Sequence, residues 1–391
     1  MLRVKQCQAG ITAWVMLLLL SAMAGLLLQG SFQYVPRQAA MHKTMASLAL
    51  AQQALLAYAY QPLLATRPCG KNCRRPGDLP CPDRNNDGIA EGNCSKSSRL
   101  GRLPWRTLGL GDIRDGSGER LWYAVSDYYK NNTRVLPLNT DTPGSWTVRA
   151  HNGMLWDATQ GSGVVAVIIA PMQPLLRKDG WLQQRDAPGS EEARHYLDVS
   201  ELGDNASAEE SSARGFVQAP AAVSFNDVVW PVSASLMHRR MQQQVLSELK
   251  RAFRCSDQVC AGLPLSAAIT DRSCLGELSV SAGLCLPATS GLGRLPVAAD
   301  AHWPLALQQI LDGDLMHRWF QQNGWREQVF YQPGPQRATL VVAGEKLPPQ
   351  MRITETDKSS FAAYLEASTL QKLHITDAYA LDIPTNDSME P

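Results

Sequence analysis

Residues 101–104 read Gly-Arg-Leu-Pro, and the same four amino acids recur in the second half of the chain at residues 293–296. Four cysteines lie upstream of each copy, and a helical stretch that opens with Met-His, at residues 41–42 and 237–238, precedes each cysteine group. A set of features that recurs in the same order is the signature of an internal duplication. We therefore predict two modules, each with a helix, a cysteine-rich loop and several strands.

The length and composition agree with a two-module protein. The chain has 391 residues, of which 45% are apolar and 19% charged, so it can build well-packed cores. The net charge of +1 gives no basic surface for a polyanion, and nucleic acid is not an expected partner. The predicted division is a leader at 1–10, a transmembrane helix at 11–30, a first module at 31–200, a linker at 201–234 and a second, duplicated module at 235–391. The predicted fold class is α+β, with a long N-terminal membrane-spanning helix followed by two modules that each hold an antiparallel sheet.

The N-terminus supports the membrane prediction. Residues 11–28 carry no charge, and as a helix they would extend about 27 Å, close to the roughly 30 Å hydrocarbon core of a bilayer. Arg3 and Lys5 precede the run and favour a body on the non-cytoplasmic side. The run could be an uncleaved anchor, a signal peptide cut after the Ala-Met-Ala at 22–24, or the start of a mature chain whose leader is cut off after Gly10. Each of these interpretations places the body outside the cytoplasm.

Cysteine usage fits an oxidising compartment. Eight of the nine cysteines follow the apolar run, and an even number in such a compartment predicts disulfides. No C-x-x-C spacing occurs, which disfavours zinc. Local pairing is the simplest of many connectivities, and it predicts Cys69–Cys73, Cys81–Cys94, Cys255–Cys260 and Cys274–Cys285.

Residues 83–91, Asp-Arg-Asn-Asn-Asp-Gly-Ile-Ala-Glu, contain the best candidate for a metal site. They match most of a calcium-binding loop, with Gly88 at the sharp turn, although Cys94 replaces the final glutamate. The candidate ligands are Asp83, Asn85, Asp87, the carbonyl of Ile89, and Glu91. A polar turn that binds nothing explains the same residues. One calcium ion is the only cofactor that the sequence suggests.

Catalytic patterns are absent from the sequence. There is no G-x-S-x-G, H-E-x-x-H, P-loop or Rossmann glycine pattern. We therefore predict no catalytic residues and expect a protein that is not an enzyme.

Several segments resemble the prepilin-type proteins of type IV pili and type II secretion systems, and more closely a bacterial group of large pilin-like proteins. The matching segments follow one another over most of the chain: LALAQQALLAYAY at 48–60, LPCPD at 79–83, GRLPWRTLGL at 101–110, RLWYAVS at 120–126, VAVIIAP at 165–171, FND at 225–227, and WF with NGW between 319 and 325. The resemblance implies that both modules are pilin-like.

The resemblance also implies processing of the leader. A peptidase would cut after Gly10, and the new N-terminal residue, Ile11, would be methylated. The family pattern has Glu at the fifth mature position, where this chain has Val15. In a fibre that Glu pairs with the N-terminal amine of a neighbouring subunit, and a large subunit that lacks it suits the fibre tip.

The expected function is that of a minor pilin or pseudopilin-like assembly component of a type IV pilus or type II secretion-like fibre. Its expected partners are the membrane, other pilin-like subunits and a prepilin peptidase. Its expected location is the inner membrane, single-pass with the C-terminal body in the periplasm, and a surface fibre after assembly. Two alternatives stay open at this point: a membrane-anchored extracytoplasmic adhesin or ligand-binding protein, and an enzyme with an unrecognised site.

Overall fold

A computed structural model provides the structure of the protein. It describes residues 16, 19–20, 37–60, 75–94, 99–130, 137–156, 163–185, 191–209, 215–253, 264–271, 274, 285–296, 303, 305–312, 318–333, 337–365 and 379–384.

The described part of the chain contains five α-helices and twelve short strands. The helices are α1 (residues 37–60), α2 (Ala234–Ala252), α3 (Leu305–Asp312), α4 (Arg318–Gln322) and α5 (Trp325–Gln328). The strands are β1 (Leu100–Arg102), β2 (Trp122–Val125), β3 (Thr147–Ala150), β4 (Val164–Ala170), β5 (Val199–Ser200), β6 (Gly203–Asp204), β7 (Gly215–Gln218), β8 (Val228–Ser233), β9 (Gly293–Arg294), β10 (Val329–Gln332), β11 (Arg337–Val342) and β12 (Tyr379–Pro384).

Two four-stranded antiparallel sheets have the same order along the chain. The first is β1-β2-β4-β8 and the second is β9-β10-β11-β12. In the first sheet Arg102 lies opposite Trp122, and in the second Arg294 lies opposite Phe330. The Gly-Arg-Leu-Pro copies therefore occupy equivalent positions at the starts of the two sheets.

The glycine of each copy has a steric role. A Cβ on Gly101 would lie 2.9 Å from the carbonyl oxygen of Asp83, and one on Gly293 would lie 2.1 Å from that of Ala267. In both places the residue after the glycine exchanges two backbone hydrogen bonds with the opposing segment. Only glycine lets these backbones approach so closely.

Helices α1 and α2 supply much of the core. In α1, Leu48, Ala51 and Leu55 are fully buried and recur at helical spacing. The side chain of Ser233 caps α2 by accepting a hydrogen bond from the amide of Leu236. The buried apolar side chains of both helices and of strands from both sheets form one continuous cluster. The two halves therefore share a core.

The segment predicted as a linker contains part of the first sheet. Strands β7 and β8 lie within residues 201–234, and β8 forms the edge of that sheet. Strand β7 pairs in parallel with β3, and β5 with β6 form a small antiparallel pair. Two polar side chains of this region, Asn205 and Asp227, are buried and hydrogen-bonded.

The predicted fold class is wrong in its membrane-spanning helix. The structure is a mixed α/β body with several sheets, and among the residues described no helix is both long and apolar enough to cross a bilayer. Most of the predicted span at 11–30 lies outside the described residues, and its three described members, Met16, Leu19 and Leu20, are helical and exposed. The long helix that is described, α1, carries Arg37 and Lys43 and alternates buried with exposed positions. An apolar run in a sequence shows only that burial of its side chains away from water is favourable. A segment that spans a bilayer must in addition form an unbroken helix of about 20 apolar residues.

Two disulfide bonds are described, Cys81–Cys94 and Cys274–Cys285. They join the same partners that local pairing predicts. Cys69, Cys73, Cys255 and Cys260 lie outside the described residues, as do the leader residues Gly10 and Ile11.

Candidate functional site

The predicted calcium loop is a tightly bonded turn within the Cys81–Cys94 bridge. The carboxylate of Asp83 is fully buried, and its Oδ2 accepts a hydrogen bond of 2.7 Å from the amide of Gly88. Gly88 has a positive φ of 85°, and a Cβ there would lie 2.5 Å from the Trp105 ring. Burial raises the pKa of Asp83, and backbone hydrogen bonds from Gly88 and Asn86 offset part of that rise.

The other predicted ligands also serve the turn. Asp87 accepts a 2.7 Å hydrogen bond from the amide of Ile89 and one of 3.1 Å from the Asn85 side chain, whose own Oδ1 accepts from the amide of Asp87. Glu91 accepts from the amide of Arg84. In the described part of the chain, no group of three or more His, Cys, Asp or Glu side chains is placed to share a metal ion. Calcium binding stays a prediction, and it would require several of these oxygens to exchange backbone amides for the ion.

A cleft of about 280 Å³ opens between this loop and the segment that begins at residue 191. Arg102 lies at its base, with Arg84, Glu191 and Glu192 around it. The guanidinium carbon of Arg102 lies 3.8 Å from the ring centroid of Tyr196 and 4.5 Å from that of Trp122. The guanidinium of Arg102, stacked on two aromatic rings, therefore lies beside the loop at residues 83–91 that the sequence predicts as a calcium site.

A related stack occurs in the second half. Tyr364 contacts Phe330 with ring centroids 5.3 Å apart, as Tyr196 contacts Trp122 at 5.5 Å in the first half. The guanidinium carbon of Arg294 lies 5.8 Å from the Tyr364 ring. The two arginines of the repeated Gly-Arg-Leu-Pro stretch therefore face equivalent tyrosines.

The side chains of Asp198 and Asp227 form a buried carboxyl pair near β8. The amide of Asp198 donates to Asp227, and the amide of Asp227 donates to Asp198, at 2.8 and 3.0 Å. Burial and the nearby Asp198 raise the pKa of Asp227 well above its usual range. Both carboxylates accept hydrogen bonds from backbone amides, so the geometry of the pair fits a structural role.

One long surface lies on α1. Between residues 44 and 60 this helix has no charged residue, and the side chains that it exposes there are Met45, Ala46, Leu50, Gln53, Ala57 and Tyr60. The opposite side carries Leu48, Ala51 and Leu55 into the core. Between residues 44 and 60 the helix therefore carries no charge on either its buried or its exposed face.

Sequence reasoning found the loop at 83–91 but missed the Arg102 cleft, the Asp198–Asp227 pair and the exposed face of α1 as candidate sites. The repeat of residues 101–104 carried a signal for Arg102. No local signal could have paired Asp198 with Asp227, since their contact depends on β8 joining the first sheet. No protein-family model, no curated protein and no solved structure matches this chain.

Proposed function

We propose that this chain is a minor pilin or pseudopilin-like assembly component of a type IV pilus or type II secretion-like fibre, and that it acts through protein–protein contacts rather than catalysis. The observation that carries the proposal is the uncharged outer face of α1. A helix on the surface of a monomeric protein normally has charged or polar residues opposite its core-facing side.

The exposed part of α1 departs from that pattern over about 25 Å, the length of 17 helical residues. Met45 is 39% exposed, Leu50 is 48% exposed and Tyr60 is 37% exposed. Contiguous exposed apolar surface marks sites of protein–protein contact. Small side chains such as Ala46 and Ala57 would let the helix of another subunit approach closely.

The disulfides support an extracytoplasmic location. Cys81 and Cys94 are both fully buried and bonded to each other, and such bonds persist in oxidising compartments such as the periplasm. The resemblance of the segments at 48–60 and 101–110 to large pilin-like proteins supports the choice of a fibre over another assembly.

The test places a charge on the proposed contact face. Ala46→Glu and Ala57→Glu alter exposed positions, so the body should still fold. We expect each variant to reduce the amount of the protein recovered in fibres sheared from cells by at least about tenfold, because a buried unpaired carboxylate is costly at an interface. The measurement is an immunoblot of sheared fibres against total protein.

Val223→Glu is the matched control, since Val223 is 96% exposed and lies in a turn outside α1. This variant should enter fibres like the unmodified chain. Normal incorporation of both α1 variants, or absence of the unmodified chain from fibres, would contradict the proposal. Mass spectrometry of the mature N-terminus provides a second readout, since a fibre subunit of this kind should begin at methylated Ile11.

A further inference from the structure

A second cleft lies at the outer edge of the first sheet, away from Arg102. Strand β8, the last strand of that sheet, forms one side of it, and residues of α1, α2 and β7 contribute to the rest of the lining. Its volume is about 380 Å³, which falls within the roughly 300–1,000 Å³ of small-molecule sites. The cleft is therefore large enough for a small ligand.

Two tryptophan side chains line this cleft. Trp156 is 38% exposed, and Trp230 on β8 is half-buried. Tryptophan is highly buried in most proteins, and a ring that stays in contact with water offers a ligand a large, rigid apolar surface. The cleft thus offers two aromatic surfaces for stacking.

Two side-chain amides supply polar groups beside the tryptophans. Gln52 lies on α1 and Gln218 ends β7. Nε2 of Gln218 donates to the carbonyl of Val229 at 3.2 Å, which holds this amide against β8. An amide side chain carries both donors and an acceptor, and a hydroxyl group carries both as well. The polar part of the lining therefore suits hydroxyl groups.

The charge of the lining narrows the class of ligand. Arg239 is the one charged residue among those that line the cleft, and Glu345 lies close enough to interact with it electrostatically. A lining without a carboxylate disfavours a cation, and a single arginine near a glutamate disfavours a highly charged anion. A purely apolar ligand would leave the two amides without partners. A ligand with apolar faces and uncharged polar groups satisfies both parts of the lining.

Pro231 argues against an extended peptide in this cleft. An edge strand can accept a further strand through its backbone groups. Pro231 lies on β8 and lines the cleft, and proline has no backbone N–H to donate to such a strand. A ligand that binds through side chains alone avoids this defect.

We propose that this cleft binds a saccharide. A sugar ring carries C–H groups on its faces and hydroxyl groups around its rim, so its faces would stack on Trp156 and Trp230 while its hydroxyls bond to Gln52 and Gln218. The inference goes beyond fibre assembly and does not depend on it, because saccharide binding is measured on the isolated protein.

The test is calorimetric titration of the full-length, oxidised protein in buffer without sugars or sugar-based detergents. The probes are the methyl glycosides of mannose, galactose, N-acetylglucosamine and glucuronic acid, with glycerol and an acetylated, amidated Val-Thr-Val-Thr-Val peptide for comparison. At least one glycoside should bind saturably in the millimolar range. Glycerol should not bind, because it has hydroxyl groups but no ring to stack.

Variants locate the binding. Trp156→Ala should weaken binding of that glycoside by at least about tenfold, because it removes a stacking surface, whereas Trp156→Phe keeps a ring and should stay within about threefold. Gln52→Leu should weaken binding about fivefold, since it removes a hydrogen-bonding partner of the hydroxyls. Trp181→Ala is the matched control and should leave the affinity unchanged, because Trp181 is 36% exposed but stacks with Arg194 outside the cleft.

Three results would overturn the proposal. The first is the absence of saturable binding of all four glycosides to the unmodified protein. The second is binding of the peptide without binding of any glycoside, which would assign the cleft to a peptide partner. The third is a glycoside affinity that Trp156→Ala and Trp181→Ala change equally. Where Trp156→Ala fails to fold, an affinity that Gln52→Leu leaves unchanged decides against the proposal.

Discussion

Arg185 and Arg352 make two equivalent hydrogen bonds in the two halves of the protein. Nε of Arg185 donates to the carbonyl of His195 at 3.2 Å, and Nε of Arg352 donates to the carbonyl of Ala363 at 2.6 Å. Both acceptors immediately precede the stacked tyrosine of their half. The two guanidinium groups also lie over those tyrosine rings, at 5.0 and 4.7 Å.

A second bond strengthens the equivalence. Nη1 of Arg185 donates to the carbonyl of Met172, and Nη1 of Arg352 donates to that of Gly344. Each acceptor lies two residues after the end of a central strand, β4 or β11. The same guanidinium atoms thus bind carbonyls at equivalent positions of the two halves, which favours the internal duplication that the repeated sequence predicts. The module boundaries at 31–200 and 235–391 stay predictions.

Replacing Arg352 should destabilise the fold substantially. Arg352→Ala would leave the carbonyls of Ala363 and Gly344 without this donor and would remove the 2.7 Å ion pair to Asp141. We expect a loss of about 3 kcal/mol in the free energy of unfolding. Urea denaturation followed by circular dichroism measures it. Arg194→Ala, at an exposed ion pair, should change stability by less than about 1 kcal/mol, and equal effects of the two variants would refute the assignment.

Removal of the Cys81–Cys94 bridge should also weaken the protein. The double variant Cys81→Ser, Cys94→Ser opens a loop with a sequence separation of 13, for which the expected loss is about 3 kcal/mol. Urea denaturation of the variant and of the unmodified protein, each with and without reductant, gives the difference. Full alkylation of Cys81 in protein isolated without reductant would contradict the bond.

Calcium should bind weakly at the loop of residues 83–91. Ligation would compete with the backbone amides that Asp83, Asn85 and Asp87 now accept. We expect a dissociation constant of about 10⁻⁴ M or weaker, visible as a rise in melting temperature between EDTA and millimolar calcium. Asp87→Asn should abolish the rise, whereas Asp179→Asn, at an exposed turn, should preserve it. An unchanged melting temperature of the unmodified protein in 10 mM calcium (about a hundredfold above that constant) would remove calcium from consideration.

The Asp198–Asp227 pair should make stability depend on pH. The raised pKa of Asp227 means that the folded chain favours its protonated form. That contribution is fully present below the unfolded-state pKa of about 4, and it is lost as the pH rises through the raised folded-state pKa. Asp227→Asn removes this loss, so the variant should gain stability relative to the unmodified protein as the pH increases.

Unfolding free energies measured at several pH values test this expectation. Glu192→Gln is the control, since Glu192 is 61% exposed and should show a nearly constant difference. A stability difference for Asp227→Asn that does not change with pH would mean that folding does not raise the pKa of Asp227.

The two halves should unfold together. Leu55 of α1, Met241 of α2 and Leu340 of β11 belong to one buried cluster, and Asn323 accepts a hydrogen bond from the amide of Leu138 across the halves. We expect one transition by tryptophan fluorescence and circular dichroism. Residues 235–391 expressed alone should show no cooperative transition, and two separated transitions of the full chain would contradict a shared core.

Local features were the most predictable from sequence. The apolar run at 164–169 forms the fully buried strand β4, because a continuous apolar stretch of that length is typical of a central strand. The glycines at 88, 101 and 293 occupy positions that exclude a side chain. The prediction was wrong in its membrane-spanning helix, since among the described residues no helix is long and apolar enough to cross a bilayer. Strand β8 lies within the range predicted as a linker, and its pairing with β4 depends on residues about 60 positions away.

The sequence by itself determined the repeated Gly-Arg-Leu-Pro stretch, the candidate calcium turn, and the nearby cysteines that the structure joins as Cys81–Cys94 and Cys274–Cys285. These features depend on residues close in the chain, whose short-range sterics and loop closure the residue types already specify. Only the tertiary structure decided that Arg294 donates to two backbone carbonyls while Arg102 stacks on two aromatic rings, and that Asp227 shares its surroundings with Asp198. The reason is physical: burial and partner choice depend on which distant segments pack together, and identical short sequences acquire different partners when those segments differ.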